Sequence, residues 1–230
     1  MGNLYIVATP IGNLQDITLR AIKTLQEVDF IACEDTRSAF TLLTGIGVEK
    51  STFREKLISF YEGNESIRLP QILNLLQNGK NVALISESGT PLVSDPGFKL
   101  VRGALENGIK VESIPGPSSV ISALVSSGLP TDKFLFLGFL PKKIGHRRNL
   151  LKSLKISLKQ IESTVIFFES PFRVLKTLDE LKEEFGDMEI VVARELTKIH
   201  EEVKKGKISE ISEYYKKSIK GEIVILFNLK

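Results

Sequence analysis

The feature that most constrains the fold is an alternation between short apolar runs and longer segments with helical periodicity. Strands that alternate with helices form layered α/β folds rather than all-helical or all-β folds. The sequence therefore predicts an α/β protein. The predicted strands are Leu4–Thr9, Phe30–Cys33, Leu57–Phe60, Val82–Ser86, Lys110–Ile114, Phe134–Leu140, Thr164–Phe168, Ile190–Ala193 and Ile223–Phe227. The predicted helices are Ile17–Glu27, Ile67–Leu76, Phe98–Glu106, Arg147–Ile161, Arg173–Glu184 and Ile208–Lys217.

A boundary between two domains is predicted near residue 115. The segment Ile114-Pro115-Gly116-Pro117 places two prolines around a glycine, which continues neither a helix nor a central strand. A chain of 230 residues is long enough for two domains of about 100 to 120 residues each. We therefore expect two α/β domains, residues 1–115 and 116–230.

Composition excludes several classes of protein. One cysteine, Cys33, forms no intramolecular disulfide, which is typical of a reducing compartment, and with two histidines it supplies too few ligands for a Cys/His zinc site. No apolar run approaches the roughly 18 residues of a spanning helix, and the N-terminal residues lack a signal-peptide pattern. We expect a cytoplasmic protein without a membrane segment or a bound metal.

Positive charge is concentrated in the second half of the chain. Residues 1–115 contain 11 basic and 13 acidic residues, whereas residues 116–230 contain 20 and 15. The segment Lys142–Gln160 has seven basic residues and no acid. Such a run is either a solvated helix face or a surface that contacts RNA phosphates. On the second interpretation the RNA-binding residues are Lys142, Lys143, Arg147, Arg148, Lys152 and Lys155.

Several predicted strands end in loops rich in Gly, Pro, Ser and Thr. These loops are either ordinary turns or a ligand site, because ligands of α/β folds bind beyond the carboxyl ends of strands. The Gly-rich phosphate-binding fingerprints are absent, and Gly116–Val120 lacks the final glycine of a nucleophile elbow. A nucleotide hydrolase and a serine hydrolase are therefore disfavoured. Charged groups also follow predicted strands at Glu34–Arg37, Glu169–Pro171 and Arg194–Lys198.

Taken together and in order, these motifs resemble the tetrapyrrole methylase superfamily of class III methyltransferases, and within it the branch that acts on small-subunit ribosomal RNA. The resemblance covers nearly the whole chain. It departs from the family's usual pattern at Glu87-Ser88, where Asp-Ala is common. The motifs are Thr9–Leu14, Asp16–Thr18, Glu34–Arg37, Ser86–Gly97, Pro115–Pro117, Gly138–Pro141, Glu169-Ser170 with Arg173, Arg194–Lys198 and Gly221-Glu222.

The resemblance implies a homodimer that binds S-adenosylmethionine in a cleft between its two α/β domains. It also implies 2′-O-methylation of a cytidine in the decoding region of 16S ribosomal RNA, as naked RNA or in the assembled 30S subunit. By position, the cofactor would contact Pro10, Ile11, Gly89, Thr90, Pro91, Val93, Pro117, Ser118, Ser119, Phe168, Leu196, Thr197, Glu222 and Ile223.

Transfer of a methyl group from a sulfonium to a ribose hydroxyl depends mainly on alignment, helped by a base and by a cation near the developing alkoxide. We consider Glu87 or Asp95 as the base and Arg194 or Lys198 as the cation. The alternatives are a methyltransferase of the same fold that acts on a porphyrin or corrin, and an RNA-binding module without catalytic activity.

Overall fold

The computed structural model describes residues 1–217 and 219–229, with the backbone alone at Thr52. It contains two compact units, Met1–Ser118 and Ser119–Lys230. Each is an α/β structure with its own sheet of five strands.

The sheet of the first unit is entirely parallel. Its three central strands are apolar because both of their faces are covered. The side chain of Ile31 belongs to one buried cluster and that of the next residue, Ala32, to a second cluster on the opposite face. The strand order is β3-β2-β4-β1-β5, with β1 Leu4–Val7, β2 Phe30–Cys33, β3 Leu57–Ser59, β4 Val82–Leu84 and β5 Val111–Ile114.

The helices of the first unit begin and end largely where sequence signals indicate. Asn78 and Asn107 end their helices, and the glycine that follows each of them has a positive φ. A helix beginning at Thr36 was not predicted; Asp35 caps it by accepting a hydrogen bond from the amide of Arg37 at 2.7 Å. The helices are α1 Leu19–Glu27, α2 Thr36–Gly45, α3 Lys50–Phe53, α4 Glu65–Gln77 and α5 Phe98–Glu106, preceded by a 3-10 turn at Leu14–Asp16.

The sheet of the second unit is mixed, with the order β6-β7-β10-β8-β9. The pair β6 and β7 is parallel, and the other three pairs are antiparallel. The edge strand β9 was not predicted, because charged residues dominate its sequence. The strands are β6 Phe134–Phe139, β7 Thr164–Glu169, β8 Glu189–Arg194, β9 Glu202–Lys207 and β10 Ile223–Phe227.

The last three helices of the second unit pack against this sheet through one apolar cluster. Leu151, Leu154 and Leu158 belong to it, whereas Ile161, which was predicted to end the same helix, lies beyond its end and is exposed. The helix at the start of the unit was not predicted. The helices are α6 Ser119–Ser126, α7 Ile144–Leu158, α8 Val174–Phe185 and α9 Ile208–Tyr215. Across the described ranges, the helices are too short or too polar to cross a bilayer.

Candidate active site

Three strand-end loops of the first unit are joined by hydrogen bonds. The parallel strands β1, β4 and β5 bring their carboxyl ends to one edge of the sheet. The amide of Thr9 donates to the carbonyl of Gly89 at 2.9 Å, and the amide of Gly89 donates back at 3.2 Å. The hydroxyl of Thr90 donates to the carbonyl of Pro117 at 3.0 Å. The loops predicted to bind the cofactor in this unit therefore form one connected structure.

Backbone strain is concentrated in two of the loops singled out by sequence. Four non-glycine residues in the described ranges have positive φ, a conformation that costs about 1–3 kcal/mol each. Leu92 and Ser94 lie in the loop after β4, and Glu195 and Thr197 lie in the loop after β8. Strain of this kind persists where the surrounding contacts enforce it, and it clusters at functional sites.

Three carboxylates gather at the ends of β2 and β4 in the first unit. Burial, together with the negative charges of Asp95 and Glu87, raises the pKa of Glu34 to about 7. Burial also raises the pKa of Asp95, against a hydrogen bond from Ser86 that lowers it, and Glu87 adds to the increase. The structure thus places Glu87 and Asp95 beside a third acid, Glu34, which was not among the candidate bases. Glu34 comes directly after a buried strand in the sequence, and this position is the signal that could have identified it.

Cys33, next to this group, has a buried side chain, and burial raises the pKa of its thiol to about 12, which disfavours the thiolate that a nucleophile needs. A shallow depression runs from Cys33 along Glu34 and Ser86 to Glu87. Among the residues described by the structure, no three His, Cys, Asp or Glu side chains form a set of metal ligands.

In the second unit, the loop after β8 is joined to the chain that enters β10. The carboxylate of Glu195 accepts hydrogen bonds from the amide of Glu222 at 2.9 Å and from the ammonium of Lys198 at 3.1 Å. A Cβ on Gly221 would lie 2.3 Å from this carboxylate, so the contact requires a glycine. Lys198 also pairs with Glu222 at 3.1 Å. The predicted contact residues Leu196, Thr197 and Glu222 therefore lie in two segments that these contacts join.

A buried ion pair lies at the end of β7. The carboxylate of Glu169 is fully buried and accepts hydrogen bonds from the amide of Ser170 and the hydroxyl of Thr177, both at 2.6 Å. It also pairs with the guanidinium of Arg173 at 2.7 Å. Ile223 pairs with Glu169 on one side and with Arg194 on the other. The ends of β7 and β8 and the start of β10 are thus adjacent.

Arg194, one of the two candidate cations, has its charge balanced within the second unit. Its Nε lies 3.4 Å from Glu202, and it donates to the carbonyl of Lys220 at 3.3 Å. Tyr214 and Tyr215 each donate a hydrogen bond of 2.7 Å to the same carboxylate. Both candidate cations, Arg194 and Lys198, are therefore held by carboxylates of their own unit.

The predicted RNA-binding set requires one correction. Arg147 is only 2% exposed and forms a bidentate ion pair with Glu180 of α8, so it is not available to a phosphate. The positive charge of α7 is also partly balanced, since α8 supplies acids that the sequence of α7 lacks. Arg148 pairs with Glu183 at 2.8 Å, and Lys155 pairs with Glu184 at 3.5 Å. Lys142, Lys143 and Lys152 are exposed.

The predicted contact residues thus fall into one set in each unit. The first set lies on the connected loops after β1, β4 and β5, and the second on the ends of β7, β8 and β10 together with the start of α6. The first set is Pro10, Ile11, Gly89, Thr90, Pro91, Val93, Pro117 and Ser118; the second is Ser119, Phe168, Leu196, Thr197, Glu222 and Ile223.

Comparison with known proteins identifies the family. The family model of tetrapyrrole (corrin/porphyrin) methylases matches residues 3–212. A protein of Thermotoga maritima named ribosomal RNA small subunit methyltransferase I is 48% identical, and the alignment covers 100% of both chains. A protein of Rickettsia prowazekii with the same name is 49% identical over 98% of this chain and 78% of its own.

A solved structure shows the same fold at low identity. It is the uroporphyrin-III C-methyltransferase of Thermus thermophilus in complex with S-adenyl homocysteine, which is 19% identical with a TM-score of 0.63. The alignment covers 98% of this chain and 97% of that one. From its sequence similarity and its fold, the chain belongs to the tetrapyrrole (corrin/porphyrin) methylase family, in the branch of ribosomal RNA small subunit methyltransferase I.

Proposed function

We propose that this protein uses S-adenosylmethionine to methylate the 2′ hydroxyl of a cytidine in the decoding region of 16S ribosomal RNA. The observation that carries the proposal is the 48% identity over the full length of a relative named for methylation of small-subunit ribosomal RNA. The related structure with bound S-adenyl homocysteine supports the choice of methyl donor.

The loops of the first unit fit such a donor. A Cβ on Gly89, at φ +83°, would lie 3.2 Å from Ile11 Cγ2, so glycine here lets two loops approach closely and leaves their backbone groups near the site. The carboxylates of Glu34, Glu87 and Asp95 supply negative charge for a sulfonium and an amino group. The two sets of contact residues defined above would hold the donor, which supplies, when bound, a methyl group activated by a positively charged sulfur.

The ribose hydroxyl needs a proton acceptor as its oxygen takes the methyl group and the bond from carbon to sulfur breaks. A catalytic base works best when its pKa lies near the working pH. Glu34, with its pKa raised to about 7, meets that condition, and Glu87 and Asp95 lie close enough to influence its charge. We therefore add Glu34 to Glu87 and Asp95 as a candidate base. Arg194 and Lys198 remain the candidates for the cation near the alkoxide.

The RNA phosphates would contact the exposed lysines before and on α7. Lys142, Lys143 and Lys152 are exposed there, whereas Arg148 and Lys155 would exchange a carboxylate of α8 for a phosphate. An ion pair at the surface contributes little free energy, so that exchange is feasible. Arg147 is excluded from this surface.

A second copy of the chain would complete the enzyme, which would act in the cytoplasm. The strand β6 lies at the edge of its sheet and has solvent-exposed apolar side chains, among them Phe134 and Phe139. On α6 the side chain of Val125 is also exposed. An exposed apolar edge favours association with a partner. Sedimentation of the purified protein should give the mass of a dimer; a monomer at micromolar concentration would contradict this part of the proposal.

The reaction is tested by supplying labelled S-adenosylmethionine with three acceptors. These are naked 16S ribosomal RNA, assembled 30S subunits from cells that lack this methylation, and uroporphyrinogen III. We expect label on a single cytidine ribose, mapped by resistance of the 2′-O-methylated position to alkaline cleavage. Label on the macrocycle alone would replace the proposal with tetrapyrrole methylation. Saturable RNA binding without any transfer would indicate a binding module.

A further inference from the structure

Two arginines hold three consecutive carbonyl groups of the segment that joins β6 to α7. Arg173 donates to the carbonyl of Leu140 at 3.3 Å. Arg147 donates from one guanidinium nitrogen to the carbonyls of Pro141 and Lys142, at 2.9 and 3.3 Å. These hydrogen bonds therefore hold the backbone of the segment in place, although it belongs to neither a helix nor a strand.

Each arginine is in turn fixed by a buried glutamate. The remaining two nitrogens of Arg147 bind the two oxygens of Glu180, whose side chain is 5% exposed, and this contact holds the pKa of Glu180 below its usual value. Glu169 holds Arg173 in the contacts described above. A guanidinium saturated by one carboxylate and two carbonyls has a fixed position, because its planar fork matches these acceptors.

The side chains that this segment presents to solvent are those of Lys142 and Lys143. A lysine on a flexible loop must be ordered when it binds a phosphate, and that ordering costs conformational entropy. A loop that is already fixed avoids that loss on binding.

We propose that Arg147 and Arg173 are positioning residues, which fix the segment Leu140–Lys143 so that Lys142 and Lys143 meet RNA phosphates without an ordering cost. This inference rests on the proposed action on RNA. It gives the buried basic residue of α7 a role in RNA binding that involves no contact with RNA.

The test removes the tether without leaving a buried charge. In the double variant Arg147→Met/Glu180→Met both partners become apolar, a replacement that is often neutral for stability. Arg147→Lys is the second variant, since it keeps the charge but lacks the fork. The matched control is Arg102→Met/Glu106→Met, which removes an exposed Arg–Glu pair of 2.8 Å on α5. Lys142→Ala/Lys143→Ala removes the proposed phosphate contacts.

Affinity for a 16S ribosomal RNA fragment is measured at several salt concentrations, with melting temperature and S-adenosylmethionine affinity for every variant. Loss of the tether should weaken RNA binding about tenfold, the equivalent of about 1.4 kcal/mol, while the dependence on salt stays the same. The lysine variant should instead lower the slope of log affinity against log salt by about 0.7 for each phosphate that is no longer neutralised. Amide exchange at residues 142–144 should accelerate in both Arg147 variants and not in the control.

The decisive measurement combines the two changes. Once Lys142 and Lys143 are alanine, removal of the tether should have no further effect on RNA affinity. Two results would overturn the inference and leave the proposed function intact. One is an equal loss of RNA affinity with and without Lys142 and Lys143. The other is wild-type RNA affinity in Arg147→Met/Glu180→Met although its amide exchange is accelerated. If wild-type protein transfers no methyl group to either RNA acceptor, the proposed function itself fails.

Discussion

Carboxylates near the strand ends have opposite surroundings in the two units. In the first unit Glu34 and Asp95 lie beside another acid, and burial raises the pKa of both. In the second unit the amide of Glu222 and the ammonium of Lys198 hold the pKa of Glu195 below its usual value. Although burial alone would raise the pKa of Glu202, hydrogen bonds from Tyr214 and Tyr215 and the nearby Arg194 hold it down.

This difference in pKa separates two uses of a carboxylate side chain. A carboxylate with a lowered pKa stays ionised and serves as a fixed acceptor that shapes a loop. A carboxylate whose pKa lies near 7 exchanges its proton under working conditions, which a base requires. The comparison therefore favours the first unit as the source of the proposed base, whereas the acids of the second unit hold its loops in place.

The largest effect is expected for Glu34→Gln. If Glu34 is the base, single-turnover methyl transfer at pH 8 should fall by about 10²–10⁴-fold, with S-adenosylmethionine affinity little changed. The wild-type rate should decline as the pH drops below about 7, where the carboxylate takes up a proton. In the variant that decline should be absent. A variant with an unchanged rate would move the base to Glu87 or Asp95, each to be replaced by alanine in the same assay.

The next effect is one of stability, in the second unit. Glu169→Gln leaves Arg173 without its buried counter-charge, so the free energy of unfolding in urea should fall by about 3 kcal/mol. The matched control is Glu213→Gln. Glu213 is 75% exposed and lies 3.1 Å from Lys216, so this variant should lose less than about 1 kcal/mol of unfolding free energy. Equal losses would remove the distinction between framework and surface acids.

A smaller effect tests the glycine that permits the Glu195 contact. Gly221 and Gly79 have nearly the same positive φ, +87° and +82°, so alanine adds backbone strain at each. A Cβ at Gly79 meets nothing within 4 Å, whereas at Gly221 it meets the carboxylate of Glu195 at 2.3 Å. Gly221→Ala should therefore lose about 1–3 kcal/mol more than Gly79→Ala in thermal or urea unfolding, a cost comparable to overpacking a core.

The smallest effect is the pH dependence of stability in the first unit. The pKa of Glu34 is raised on folding, so the folded state favours the protonated form and loses stability as the pH rises from about 4 to about 7. Glu34→Gln should be as stable as wild type at pH 4 and more stable at pH 8, by about 1 kcal/mol after allowance for solvent screening. Urea titrations at the two pH values measure this. A destabilised variant at pH 8 would mean that Glu34 is held by favourable contacts, like the acids of the second unit.

The success of the sequence predictions varied with the kind of element. Buried strands such as β4 and β10 were found because a strand covered on both faces is continuously apolar. The edge strand β9 was missed, since solvent on its outer side permits lysine and glutamate. The helix α2 was missed because it begins inside the charged segment Glu34–Arg37, where a capping aspartate looks like a surface ion pair.

The sequence by itself determined the α/β layers, the loops with glycine and proline at the strand ends, and the family. These depend on local pattern, because burial and turn geometry are written into neighbouring residues. Only the tertiary structure decided the charge balance. It placed the acids of α8 beside the basic residues of α7, and it brought Glu87 and Asp95 to Glu34. The physical reason is that electrostatic energy depends on distance in space, and residues far apart along the chain set it.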